Sequence, residues 1–201
     1  ERITMFTGII RDIGTIAAIE ETKDGARVTI NSTATPPKTQ IGSSVAINGT
    51  CLTVVELKDD QFSFDVMPQS LRLTTLGERS VGDQVNVESS MTVGDEIGGH
   101  FLYGHVDGVA TITAIKQDGD ATIVTVEPPE HLMMYLAPQG SVAIDGISLT
   151  VAALREKDFD VSLIEHTLQE TNLSERKVGD RLNIEVDMMM NYLERIVSLK
   201  K

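Results

Sequence analysis

Read at an offset of 97 residues, this chain repeats itself. Residues 44–54 run Ser-Val-Ala-Ile-Asn-Gly-Thr-Cys-Leu-Thr-Val, and residues 141–151 run Ser-Val-Ala-Ile-Asp-Gly-Ile-Ser-Leu-Thr-Val, identical at eight of eleven positions. A second pair keeps the offset: Leu76-Gly-Glu-Arg-Ser-Val-Gly-Asp-Gln-Val-Asn-Val-Glu88 answers to Leu173-Ser-Glu-Arg-Lys-Val-Gly-Asp-Arg-Leu-Asn-Ile-Glu185. A weaker third pair sets Phe6-Thr-Gly-Ile-Ile beside Leu102-Tyr-Gly-His-Val, at an offset of 96. Agreement three times at a near-constant spacing means two copies of one unit of about 100 residues. The boundary is placed near Gly98-Gly99, dividing the chain into 1–99, 100–187 and a tail, 188–201.

Each copy reads as β. Val28-Thr-Ile, Val45-Ala-Ile, Leu52-Thr-Val-Val, Phe62-Ser-Phe-Asp-Val and Val85-Asn-Val-Glu are short runs of β-branched and aromatic residues. Asn48-Gly49 and Asp145-Gly146 suit two-residue hairpin turns, which need positive φ at both central positions. Short strands at regular spacing predict an all-β chain of two small tandem barrels. Leu71 to Leu76 and Leu168 to Leu173 are expected as short helical or irregular connections. From Met188 the period changes, and Met189, Leu193, Ile196 and Lys200 share one helical face. That face either packs on its own barrel or meets other copies of the chain.

Function classes narrow next. Net charge is −13, which repels phosphate backbones and anionic lipid, so neither nucleic acid nor membrane is an expected partner. No apolar run approaches the length of a bilayer span, and no basic-then-apolar leader precedes Met5, read as the natural start. The single cysteine, Cys51, fits a reducing, cytoplasmic setting. Dinucleotide, phosphate-loop and nucleophile-elbow motifs are missing from the sequence.

Within the repeat, the informative positions are those where the copies differ. Cys51 answers to Ser148 and Asn48 to Asp145, so a paired site would carry a thiol on one side and a hydroxyl on the other. Cys51 is either that thiol or a small strand residue packed in a core. Gly98-Gly99-His100-Phe101-Leu102-Tyr103-Gly104-His105-Val106-Asp107-Gly108 places two of the four histidines among glycines at the junction of the halves. Histidines there can accept and return protons. A metal site is disfavoured by the spacing of His100 and His105 and by the lack of a cysteine cluster.

These residues resemble one family. Met5-Phe6-Thr7-Gly8-Ile9-Ile10, Asn48 to Val54, Gly98 to Asp107 and Asp145 to Val151 are similar to the riboflavin synthase α-chains, in order and spacing, over Met5 to Val197. The resemblance implies two six-stranded Greek-key barrels and a C-terminal oligomerisation helix that builds a homotrimer. It implies dismutation of two molecules of 6,7-dimethyl-8-ribityllumazine to riboflavin and 5-amino-6-ribitylamino-pyrimidinedione, the last step of riboflavin biosynthesis. No metal or other cofactor is implied, and association with lumazine synthase is. The site is expected between the first barrel of one subunit and the second barrel of a neighbour.

Carried across, the resemblance gives the first-barrel pocket Gly8, Ile9, Ile10, Ser44, Cys51, Leu52, Thr53, Asp65, Val66, Met67, Pro68, Gln69 and Ser70. It gives the second Gly104, His105, Val106, Ser148, Leu149, Thr150, Ser162, Leu163, Ile164, Glu165, His166 and Thr167. Cys51, Ser44 and His100 are expected near one ring, His105 and Ser148 near the other, with Asp145 and Asp187 in support. His105 is assigned as proton shuttle, Cys51 as nucleophile or acid–base group, and Ser44 and Ser148 as orienting groups. Gln139 stands where the family usually carries a lysine, which removes a cation from the substrate contact. The alternative is a non-catalytic lumazine- or flavin-binding antenna protein. The intact motifs in both halves favour the enzyme.

Overall fold

The computed structural model describes residues 4–35 and 39–199. Lys200, placed on the tail's apolar face by its period, lies outside the described residues. The first copy contributes β1 (Asp12–Thr22), β2 (Gly25–Asn31), β3 (Ser44–Ile47), β4 (Thr50–Lys58), β5 (Gln61–Val66) and β6 (Gln84–Ser89). These close into an antiparallel barrel in the order β1-β2-β5-β4-β3-β6. The second copy contributes β7 (Gly108–Asp118), β8 (Ala121–Glu127), β9 (Ser141–Ile144), β10 (Ile147–Leu154), β11 (Phe159–Leu163) and β12 (Arg181–Val186), closed in the equivalent cyclic order.

Closure follows from two repeated devices. Register shifts between Ile16 and Ala18 in β1 and between Val54 and Glu56 in β4 recur at Ile112/Ala114 in β7 and Val151/Ala153 in β10. Such bulges bend a strand and raise its twist, which lets six short strands meet round a ring. Inside, alternation does the sorting. On β4, Leu52 and Val54 face the core while Cys51 and Thr53 face outward. Phe62 and Phe64 meet edge to face in the first core, and Phe159 fills the second.

The expected connections are there. α1 (Pro68–Leu73) and a 3-10 turn at Thr75–Glu78 link β5 to β6; α2 (Glu165–Gln169) and a turn at Asn172–Glu175 link β11 to β12. α3 (Met188–Ser198) is capped by Asp187, whose carboxylate accepts from the Met189 amide at 3.0 Å. Met189, Leu193 and Ile196 are all exposed, and the helix buries none of its residues on the barrels.

The barrels meet through their matched hairpins. Asn48-Gly49 and Asp145-Gly146 adopt the predicted turns, with φ of 44°, 75°, 45° and 78°. A Cβ on Gly49 would lie 2.7 Å from the Gly146 nitrogen, and one on Gly146 would lie 2.6 Å from the Gly49 nitrogen. Two glycines are required because the tips touch backbone to backbone. Around them each copy satisfies the other: Asn86 Nδ2 donates to the Asp145 carbonyl at 2.9 Å, and Asn183 Nδ2 to the Asn48 carbonyl at 2.8 Å.

The segments before the barrels cross. Phe6 and Leu102 pair as an antiparallel bridge, at 2.8 and 3.1 Å, and bury a small core with Ala46 and Ala143. Each segment then runs onto the opposite barrel.

Candidate functional site

That crossing decides which residues meet. In the first centre, Cys51 and Thr53 point outward from β4, and Ser44 stands on β3, which pairs with β4 through Ser44–Thr53 and Ala46–Cys51. The segment laid against them comes from the other copy. The Cys51 amide donates to the Gly104 carbonyl at 2.9 Å. A Cβ on Gly104, whose φ is 70°, would lie 2.6 Å from the Cys51 Cβ. Glycine is needed for both reasons, and the contact fixes the backbone that carries His105, the next residue in the chain, to β4. The His105 ring is exposed and stacks on Tyr103, centroids 6.1 Å apart.

The second centre repeats the plan with first-copy residues. Ser148 and Thr150 lie on the outer side of β10, the Ser148 amide donates to the Gly8 carbonyl at 2.9 Å, and a Cβ on Gly8 would lie 2.7 Å from the Ser148 Cβ. His100 arrives as an addition, its Nδ1 2.7 Å from Ser148 Oγ. Its Nε2 is buried and has no hydrogen-bond partner among the described residues.

The expected grouping is therefore corrected. Gly8 lies against Ser148, Ile10 packs into the second core, and Gly104 lies against Cys51. His100 sits on Ser148 instead of joining Cys51 and Ser44. The Phe6–Leu102 bridge pairs the two segments and lays each beside the opposite barrel. Ile9 remains half-buried, near Gly98.

Other named residues fall into three groups. Leu52, Val66 and Leu163 are buried in the barrel cores and Leu149 packs against the second, so their side chains turn inward, away from Cys51 and Ser148. Asp145 is buried at the junction of the barrels, where Asn183 N and Arg176 Nη2 each donate to it at 2.8 Å; it supports the fold instead of a pocket. Asp65, Met67, Pro68 and Gln69 are exposed and Ser70 half-buried, with Asp65 paired to Arg27. Antiparallel pairing of β4 with β5 brings this stretch to the end of the barrel where β4 begins. Ser162, Ile164, Glu165 and His166 are exposed, with Thr167 half-buried, at the matching place beside β10. Val106 is half-buried. Gln139 is exposed, with φ 63°, and its amide donates to Val151 at 2.9 Å beside the second centre's strand.

Electrostatics distinguish the two centres. Burial pushes the Cys51 thiol up, opposed by the Ser44 hydroxyl, so the resting group is the thiol. Burial pulls His100 down, opposed by Asp187, which keeps its ring neutral and able to exchange a proton with Ser148. Two acids missed in the sequence lie beneath the centres. Glu88 and Glu185, both buried, accept the amides of Thr7 and Gly8, and of Tyr103 and Gly104. Their signal was present, since both end the matched strand motif. Among the described residues no group of three or more His, Cys, Asp or Glu is placed to hold a metal ion. No helix there is long and apolar enough to cross a membrane.

The lumazine binding domain family matches the chain twice, at residues 7–90 and 103–187. Riboflavin synthase of Brucella abortus is 42% identical over 98% of this chain and 100% of its own length. The riboflavin synthase of Mycobacterium tuberculosis is 41% identical over 96% of this chain and 98% of its own. For that of Bacillus subtilis the values are 39%, 96% and 90%. Among solved structures, LumP complexed with riboflavin superposes with a TM-score of 0.84 at 27% identity, covering 90% of this chain and 99% of that one. LumP complexed with 6,7-dimethyl-8-(1'-D-ribityl) lumazine gives 0.81 at 27% identity, covering 90% and 98%.

Proposed function

The chain belongs to the riboflavin synthase family, built on two lumazine-binding domains, and we propose that it converts two molecules of 6,7-dimethyl-8-ribityllumazine to riboflavin and 5-amino-6-ribitylamino-pyrimidinedione. The observation that carries this is the duplicated centre: one outward strand motif per copy, each completed by the other copy's glycine segment. Two like centres suit two identical substrates, and the thiol on one side against a hydroxyl on the other gives each ligand a different environment. Identity near 40% to riboflavin synthases along almost the whole chain, against 27% to LumP, favours catalysis over a purely binding role.

The substrate supplies much of the reactivity, because a carbanion at its C7 methyl delocalises into the ring. The protein's part is to hold two rings in register, which removes a large share of the barrier. His105, exposed and next in the chain to the Gly104 that abuts Cys51, takes and returns the methyl proton. Cys51, held as a thiol, acts as acid–base group or nucleophile there, with Ser44 orienting it. Ser148 and His100, 2.7 Å apart, polarise the second ring. No added cofactor takes part in these steps.

The proposed working unit is a homotrimer in the cytoplasm, with the tail, residues 188–201, whose helix is α3 (Met188–Ser198), as the oligomerisation element and sites formed between residues 1–99 of one subunit and 100–187 of the next. Its unburied apolar face, Met189, Tyr192, Leu193 and Ile196, supports this assembly. Association with lumazine synthase is a further expectation. Cys51→Ala and His105→Ala should each lower kcat by about 10²–10⁴ with KM little changed. Wild-type kcat in both would overturn the assigned chemistry.

A further inference from the structure

Two buried glutamates clasp the exchanged segments, and their surroundings differ. Glu88 Oε1 accepts from Thr7 N at 2.8 Å and Thr7 Oγ1 at 2.9 Å, and its Oε2 from Gly8 N at 3.0 Å. Among the described residues Glu185 accepts from backbone alone: Tyr103 N at 2.8 Å, Gly104 N at 3.0 Å, with the His105 amide also facing it. The repeat puts Tyr103 where the first copy has Thr7, so Glu185 lacks the hydroxyl donor. Arg11 faces Glu88, whereas Asp107 faces Glu185. Both differences leave the charge on Glu185 less well compensated.

We propose that Glu185 is a positioning residue of the reaction: ionised, it holds the Tyr103–His105 backbone against Cys51, and protonated, it lets that backbone go. The path is short. Glu185 takes the Gly104 amide, the Gly104 carbonyl takes the Cys51 amide, and His105 is the next residue. A neutral carboxyl carries a hydrogen on one oxygen, which then faces an amide donor, so one clasping bond is lost. The charged and titratable groups around it are Asp107 ahead of β7, His105, and Cys51 on β4; His131 bears on Asp107 in turn. Burial, reinforced by Asp107, pushes Glu185 up to about 7, so the clasp switches near neutrality. Glu88 moves in the same direction, opposed by the Thr7 hydroxyl and by Arg11.

The inference rests on the synthase reading, and its test separates the two. Wild-type turnover of 6,7-dimethyl-8-ribityllumazine is measured first across pH; its absence would count against the reading of function itself. Given turnover, kcat should fall on the acid side with a midpoint near pH 7. Glu185→Gln should lose about tenfold in kcat with KM held within about twofold, and should lack that acid limb. Glu88→Gln should keep it. An unchanged acid limb in Glu185→Gln would overturn the proposal. If Glu185→Gln does not fold, Glu185→Asp carries the test: a shifted midpoint supports the proposal, and the wild-type midpoint with wild-type kcat overturns it.

Discussion

Replacing Gly104 by alanine isolates the contact on which the first centre depends. The new Cβ would lie 2.6 Å from the Cys51 Cβ, 2.8 Å from its nitrogen and 3.0 Å from its Cα. Carbon atoms pack at roughly 3.5–4.0 Å, so the two backbones must part by about 1 Å. The left-handed backbone at φ 70° adds about 1–2 kcal/mol of strain, and stretching the 2.9 Å bond from Cys51 N to Gly104 O costs about 1 kcal/mol more. Stability should drop by about 2–3 kcal/mol in urea unfolding. Turnover should fall further than stability explains, by roughly 100-fold, because about 1 Å of misplacement at reacting groups costs that much. Gly179→Ala supplies the control: its φ is 95°, yet nothing lies within 4 Å of the added Cβ, so it carries backbone strain alone. A Gly104→Ala enzyme turning over as fast as Gly179→Ala would refute the idea that His105 is delivered by this close approach.

Asp145→Asn removes the carboxylate that answers Arg176 at the buried junction, and should destabilise by about 3 kcal/mol in chemical denaturation; an unchanged midpoint would contradict a structural role. Burial pushes Glu185 up to about 7 from an ordinary 4.5 and outweighs the amide bonds that favour its ionised form, so the folded state as a whole holds the proton more tightly even though the clasp itself loosens on protonation. That contribution is complete below about pH 4.5 and is lost as pH rises through 7, a change of order 3 kcal/mol. Glu185→Gln should therefore gain stability relative to wild type between pH 5 and pH 8, and a constant difference across that range would count against it. Gln139→Lys should tighten substrate binding by about 1 kcal/mol, roughly fivefold in KM at constant kcat; equal KM values would show that the position does not touch substrate.

Much of the fold was legible because the repeat and the period-2 strands are local signals. Asn48-Gly49 and Asp145-Gly146 announced their turns, and the pattern from Met188 announced α3. The crossing was not legible: one bridge between Phe6 and Leu102, far apart in sequence, leaves no periodic trace. Missing it sent Gly8 and Gly104 to the wrong barrels. Glu88 and Glu185 read as ordinary polar positions on a strand, and only the closed barrels show that they lie under backbone amides. Leu52, Val66 and Leu163 neighbour motif residues in the chain, but strand alternation turns them inward.

The most direct test mixes the purified protein with 6,7-dimethyl-8-ribityllumazine and nothing else, following lumazine loss and riboflavin gain by absorbance and fluorescence. We expect riboflavin to accumulate at one molecule for every two lumazines consumed, with no added metal or redox partner. Tight binding without riboflavin would contradict the synthase assignment and leave a duplicated lumazine-binding protein.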